Sequence, residues 1–381
     1  MNEQRKYRLN YILYQIGVMF FPYIALFLKA EGYNGLQYGA VMAFTPLVTA
    51  AALPFFGMID NGSGGRKILV YTVSALIIAA EFLMVGVNRL SLIIAAVFAA
   101  SAAKAAYNTS IDSVTTVYAV ETGKEFSSFR SFSSLGYILA NIIGAFMFDA
   151  AGFHAILIVS AAANVAFCIG WSALKPLALD AEPKKKEHNY RLLLTNKPYL
   201  MFLVYQTLCF TMLTFVNNYD IIYQNMRGMP SYLFGVMTAV RVGFEILTFF
   251  ILSRMKKTSY KAMLAAAPLF LLAQSAAYYA MTPAFSIYFL MAVSGAGSGL
   301  VIYANNKYLN KIVRPRNVTV GLYIAAVVQN LSVGIATLAG GAAIDRFGIK
   351  YLFLGSAAVL AAAFVFTCAF VKNEKFVKFA G

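Results

Sequence analysis

Charge is what this chain has least of. Only 12% of its 381 residues are Asp, Glu, Lys or Arg, about half the share usual in a soluble domain. So few charged groups cannot cover the outside of a chain this long with solvated side chains. With 60% hydrophobic residues and a mean hydropathy of +0.69, the deficit excludes an ordinary globular protein and points to many bilayer crossings. Histidine is nearly missing: His154 and His188 are the 2 present, and both are expected in or beside loops between apolar runs. The 3 cysteines, Cys168, Cys209 and Cys368, stand alone inside apolar runs. No metal-ligand or disulfide spacing arises from these residues, so neither a metal nor a cofactor is expected. HExxH and GxSxG are absent, which argues against an enzyme. Acids are outnumbered by bases, 15 to 31, giving a net charge of +16. The bases cluster in short loops and do not alternate with stacking aromatics, so the excess indicates membrane topology, not nucleic-acid binding. No small-residue cleavage site follows the charged start MNEQRKYRLN, so the first apolar run is expected to be retained as a helix.

What is present is apolar runs of membrane-spanning length, roughly 20 residues each. About twelve spans follow one another, near 10–29, 35–59, 68–87, 91–120, 127–149, 153–174, 199–223, 231–253, 260–281, 284–310, 318–344 and 351–371. One polar, basic stretch from Lys175 to Pro198 divides them. The expected fold is an all-α membrane protein with twelve transmembrane helices in two six-helix pseudo-symmetric halves. The expected domains are a bundle over 1–174, a central loop over 175–198 and a second bundle over 199–381. Bases such as Arg5, Arg66, Lys124, Lys185, Arg254, Arg314 and Lys375 fall on the side shared by the termini. That asymmetry predicts cytoplasmic termini and a cytoplasmic central loop in a multi-pass protein of the cell membrane. The halves repeat a short pattern: Gly144, Asp149 and Gly152 recur as Gly340, Asp345 and Gly348, 196 positions on. Two parallel repeats joined by a basic loop describe a secondary transporter, with a solute site expected at the midplane between the halves.

The loop after span 2, GMIDNGSGGRK (Gly57 to Lys67), resembles the Gly-x-x-x-Asp-x-x-Gly-Arg-Arg/Lys signature of the major facilitator superfamily. Gly57, Gly64, Arg66 and Lys67 fit, while Asn61 takes the Asp position and Asp60 comes one residue early. It lacks the Gly-Lys-Ser/Thr ending of a phosphate loop. The segment from Ser110 to Phe132 resembles more closely the span 4–span 5 hairpin of the lactose permease-like (oligosaccharide:proton symporter) branch. Asp112 and Arg130 match its acid–arginine pair, and Gly136–Tyr137 matches its Gly-aromatic pair. The resemblance implies a gating role for Gly57, Asp60, Gly64, Arg66 and Lys67. It also implies solute contacts from Asp112, Arg130, Tyr137 and Asn218, the last matching an Asn of span 7. Span 9 has no Arg, and span 10 reads MAVSGAGSG without charge, so the permease's coupling groups have no counterpart in the second half.

The residues support part of this without the resemblance. Asp112 and Arg130 lie symmetrically about Glu121, beside Gly123, so a helical hairpin holds both at similar depth, about 12 Å inside the helix ends at 1.5 Å per residue. Charges there are costly unless paired or facing water. A carboxylate beside a guanidinium meets that cost and offers sugar hydroxyls both an acceptor and donors. A helix-packing ion pair, or an Arg130 that snorkels to the membrane edge, is the plainer alternative. Glu81 and Lys104 are expected to form a buried ion pair between spans 3 and 4, of structural or functional use. Arg241 and Glu245, four apart on span 8, share a face and can pair. Glu245 is the first candidate for a proton-coupling acid and a solute contact, Asp112 the second. Asp220 and Arg227 are expected to be solvated near the outer mouth, and Tyr205, Asn217, Asn218, Asn305 and Asn306 either to line a cavity or to form interhelical hydrogen bonds. The expected protein is a monomeric transporter of a sugar or similar polyhydroxylated solute, moved with a proton. An exporter of sugars or drugs and a uniporter remain open, and a membrane enzyme or receptor is the class with least support.

Overall fold

Within hydrocarbon a backbone satisfies its own N–H and C=O groups only as a helix or a closed barrel. The computed structural model of the protein describes residues 2–59, 63–86, 89–174, 193–255, 259–280, 286–313 and 318–372, and all regular structure among them is helical. The helices are α1 (Glu3–Ile16), α2 (Ile24–Ala30), α3 (Gly35–Ile59), α4 (Ser63–Gly86), α5 (Leu90–Glu121), α6 (Ser127–Ser172), α7 (Lys197–Met226), α8 (Ser231–Arg254), α9 (Tyr260–Tyr279), α10 (Ser286–Ile312), α11 (Val318–Phe347) and α12 (Ile349–Lys372). Among the described residues, 10 stretches are long and apolar enough to cross a membrane. One of them, Ser128–Ser172, has non-helical backbone at Gly152 (φ 75°) and counts as two crossings. The 25-residue α3 adds another. Among the described residues the fold is that of an all-α membrane protein with twelve crossings.

The first span is not the single helix its hydropathy predicts. α1 stops at Ile16, a short 3-10 turn covers Phe21–Tyr23, and α2 resumes at Ile24. Pro22 has no N–H to donate to the helical ladder, so the chain cannot run straight through. The Phe21 N–H turns to the Val18 carbonyl, and the Gly17 carbonyl it leaves is satisfied from α6, by the Ser160 hydroxyl at 2.8 Å and the Asn164 amide at 2.7 Å.

The chain divides into two compact units. Unit 1 takes the described residues of Met1–Tyr33, Ala40–Lys184 and Gln224–Val236. In it α1 packs along α6, and α4 packs against α5 and α6. Tyr7 stacks on Tyr118 with ring centroids 4.2 Å apart, and Phe129 meets Tyr118 edge-on at 5.6 Å. Unit 2 takes the described residues of Asn34–Gly39, Lys185–Tyr223 and Met237–Gly381. Here α9 packs against α10 and α12, and α11 against α12, around a core that includes Tyr199, Phe202, Tyr205, Leu264 and Tyr308.

Each unit contains the same Gly-Asp-Gly device. In unit 1 the Tyr23 hydroxyl donates to the Asn141 carbonyl at 2.6 Å, and a Cβ on Gly144 would come within 2.7 Å of the Tyr23 ring. In unit 2 the Tyr219 hydroxyl donates to the Thr337 carbonyl, and a Cβ on Gly340 would strike Phe215 at 2.5 Å and Tyr219 at 3.1 Å. The first glycine of the pattern thus makes room for a ring. The aspartates take up helix N-termini, where amides lack helical acceptors. Asp149 accepts from the backbone N–H groups of Ser231 (3.1 Å) and Tyr232 (2.9 Å), which open α8, within unit 1. Asp345 accepts from those of Gly35 (2.6 Å) and Leu36 (2.8 Å), which open α3, within unit 2. The second glycine turns the chain in the left-handed region, at φ 75° for Gly152 and φ 85° for Gly348. That conformation is costly for any residue with a Cβ.

Candidate functional site

The hairpin of α5 and α6 turns at Gly123, φ 62°, and returns Arg130 to the level of Asp112. Arg130 Nε lies 3.5 Å from Asp112 Oδ1. The same oxygen accepts a hydrogen bond of 2.7 Å from the Tyr11 hydroxyl of α1, and the Arg130 guanidinium carbon sits 6.0 Å from the Tyr11 ring centre. The pair is half-exposed, with 42% of the arginine side chain and 38% of the aspartate side chain accessible. Both contacts fall on one carboxylate oxygen and on Nε. Asp112 Oδ2 and the Arg130 Nη groups therefore have no hydrogen bond to the described residues and remain available to a ligand.

Gly136 explains how α1 reaches this pair. A Cβ there would stand 2.8 Å from the Ile12 Cα and 3.1 Å from the Gln15 Cβ, so α1 lies directly on α6. Gln15 then donates to the Ser133 hydroxyl at 2.6 Å. Tyr137 is half-buried, and its carbonyl accepts from Asn141 at 2.8 Å. Tyr11, Gln15 and Ser133 are not among the residues that sequence reasoning singles out. Tyr7, Tyr11 and Tyr14 do recur at helical spacing, which is a signal for one aromatic face on the first span.

Other expected partners separate. Glu81 and Lys104 form no ion pair. Glu81 is hydrogen-bonded to Ser160 of α6, and the Lys104 ammonium lies 4.4 Å from the centre of the Phe21 ring. A cation over a ring face is partly compensated without an anion, and the broken first span is what brings Phe21 there. Arg241 and Glu245 do not bridge either. Glu245 Oε2 accepts from the Ser298 hydroxyl of α10 at 2.7 Å. The cause lies in the glycines of MAVSGAGSG. A Cβ on Gly295 would collide with the Arg241 backbone, and one on Gly299 would lie 2.9 Å from the Thr248 Cβ. Small residues thus let α10 approach α8 closely enough for Ser298 to reach the acid.

Asn218 donates to the Thr337 hydroxyl at 3.2 Å and is half-buried. Asp220, expected in solvent, is 2% exposed and accepts from Tyr278 at 2.7 Å. Tyr205 and Asn305 are closed inside unit 2 at 1% and 4% exposure, which a cavity-lining role does not fit. Of the expected gating loop, Asp60 lies outside the described residues. Gly57 belongs to the end of α3, and Gly64, Arg66 and Lys67 to the start of α4.

Residues 6–355, nearly the whole chain, match the MFS_1 like family. The chain belongs to that family. A maltose permease of Geobacillus stearothermophilus is 25% identical over 358 residues, covering 90% of this chain and 88% of the permease. An uncharacterized transporter of Bacillus subtilis (strain 168), YwbF, is 26% identical over 374 residues, covering 93% and 90%. The crystal structure of the nucleoside transporter NupG shares the fold at TM-score 0.80 and 13% identity, over 98% of this chain and 100% of that one. As a member of this family the protein is a multi-pass membrane transporter of a small-molecule solute, and not an enzyme.

Proposed function

We propose that this family member carries a sugar or similar small polyhydroxylated solute across the cell membrane together with a proton, by alternating access. The observation that supports this best is the half-open Asp112–Arg130 pair. One hydroxyl can donate to Asp112 Oδ2, and a neighbouring one can accept from an Arg130 Nη group. Tyr11 holds the acid by its other oxygen, so the carboxylate is oriented before solute arrives. Tyr137, two turns along α6 from Arg130, supplies an aromatic face of the kind that packs on sugar rings. The maltose permease relative agrees with this cargo. Asn218 and Glu245 are the corresponding candidates in unit 2. Glu245 has a hydroxyl partner and no cation partner among the described residues, which suits an acid that gains and loses a proton; Asp112 is the second candidate.

In this reading the protein works as a monomer, with bundles over 1–174 and 199–381 joined by a cytoplasmic loop over 175–198. Gly57, Asp60, Gly64, Arg66 and Lys67 would act as a latch at the cytoplasmic face. A uniporter is favoured by one observation: the span 10 glycines that replace coupling charges are used in packing against α8. Uptake of labelled oligosaccharides into energised vesicles decides between these readings. Accumulation that collapses with a protonophore supports symport, equilibration alone supports the uniporter, and no uptake of any sugar overturns the cargo.

A further inference from the structure

We propose that Glu81 is a second proton-binding site, lying inside unit 1 apart from Asp112 and Arg130; this rests on the proton-coupled reading above. Glu81 is 1% exposed. Its Oε1 meets the Ser160 hydroxyl, and its Oε2 is buried without a hydrogen-bond partner among the described residues. Ser160 also lies 2.8 Å from the Gly17 carbonyl. A serine hydroxyl carries one hydrogen, and a carbonyl carries none. The Gly17 oxygen also takes the Asn164 amide at 2.7 Å, but two oxygens 2.8 Å apart need a hydrogen between them, so a carboxylate and the Gly17 oxygen would compete for the Ser160 hydrogen. A carboxylic acid removes the conflict: Glu81 donates to Ser160, and Ser160 donates to Gly17.

The surroundings agree with a neutral acid. Of the titratable groups, Tyr107 on α5 lies close enough to Glu81 to interact with it, and Tyr14 on α1 and Cys168 on α6 lie beside Tyr107. Lys104 is turned onto Phe21, and the Tyr107 hydroxyl is engaged with Ser74 at 2.5 Å and Asn164 at 3.4 Å. None of these offers Glu81 a positive charge, and an unpaired carboxylate inside a membrane protein is expensive.

Ser356 occupies the position of Ser160 in the second repeat, 196 residues on, and it bonds the Ser275 hydroxyl at 3.1 Å. There two hydroxyls join α9 to α12 without an acid. The acid in unit 1 adds a titratable group at the carbonyl where the first span breaks, the kind of discontinuous helix end that transporters use for ions. α1, which ends at that carbonyl, also carries Tyr11. Loss of the Glu81 proton would change the hydrogen bonding at Gly17 and so bear on the helix that orients Asp112.

Infrared spectra of the purified full-length protein in lipid nanodiscs, taken through a pH titration, test this directly. We expect a protonated-carboxyl band that titrates, that disappears in Glu81→Gln, and that persists in Asp112→Asn and Glu245→Gln. In Ser160→Ala the band should move in frequency, because the acid has lost its hydrogen-bond partner. This second variant carries the test if Glu81→Gln does not fold. An unchanged spectrum in Glu81→Gln, a band that never titrates, or an unmoved band in Ser160→Ala overturns the proposal. The measurement needs no solute and no gradient. Failure of protonophore-sensitive accumulation would sink the symport reading, whereas failure of the band sinks Glu81 alone.

Discussion

At Arg130 the guanidinium touches Asp112 through Nε, and its two Nη groups make no hydrogen bond to the described residues. A lysine offers a single ammonium, which can pair with Asp112 or meet the solute but cannot present a planar fork to both. Arg130→Lys is therefore expected to lower uptake by at least about tenfold, equivalent to roughly 1.4 kcal/mol, with unchanged membrane expression. Normal uptake kinetics would remove the pair from the solute site. Tyr11→Phe deletes one hydrogen bond to Asp112, worth about 1 kcal/mol. It should weaken apparent affinity by up to about fivefold and lower the melting temperature slightly, as measured by uptake and by melting in detergent. Glu245→Gln keeps a hydrogen-bond acceptor for Ser298 and removes the titratable proton. We expect loss of uphill accumulation with retained solute exchange, and protonophore-sensitive accumulation in that variant would exclude Glu245 as a proton site. The Asp112–Arg130 pair was legible in the sequence because two opposite charges set symmetrically about a glycine turn meet across the hairpin, and a bilayer penalises them if they do not. The Arg241–Glu245 bridge was a false expectation because four-residue spacing shows only that two side chains share a face. It says nothing of a neighbouring helix close enough to offer a better partner.

At the scale of single helices, the glycines of α10 carry a sharper expectation than its missing charges. Gly295 has no room for a methyl group beside the Arg241 backbone, whereas Gly243 on α8 has nothing within 4 Å of an added Cβ. Gly295→Ala should cost about 1–3 kcal/mol through overpacking and lower the melting temperature. Gly243→Ala should be neutral or stabilising, since alanine gains up to about 1 kcal/mol of helix propensity. Equal melting temperatures for the two variants would contradict the close approach of α8 and α10. The aspartate caps behave differently. Asp149→Ala and Asp345→Ala should each cost about 1 kcal/mol, and the double variant should show the sum, because the two caps share no partner. Helix starts and stops were partly visible beforehand. The break in the first span was not, because hydropathy averages over Gly17 and Pro22 and the residues that rescue the break, Ser160 and Asn164, lie more than a hundred positions away.

For the whole molecule, twelve crossings followed from hydropathy because the bilayer admits so few backbone solutions. Orientation rests on the unequal share of Lys and Arg between the two sets of loops. It predicts that Lys185→Cys in a cysteine-free background resists membrane-impermeant maleimide in intact cells and reacts after permeabilisation. Rapid labelling from outside would invert the topology. No sequence pattern assigned residues 34–39 and 224–236 to the compact units they join, since those memberships come from long-range packing that hydropathy does not encode.

The paired tyrosines have one more implication. Tyr23 and Tyr219 both donate to main-chain oxygens, those of Asn141 and Thr337. An amide side chain and a hydroxyl side chain stand at equivalent places, yet the bond is the same because neither takes part in it. The duplication is therefore written in the path of the backbone, where amino-acid replacement cannot erase it. Two halves of such a gene can drift in composition until few letters agree while each tyrosine still finds its carbonyl. Saturation mutagenesis should show this as a contrast: several residues of similar size tolerated at the two buried acceptor positions, and tyrosine alone at the two donors.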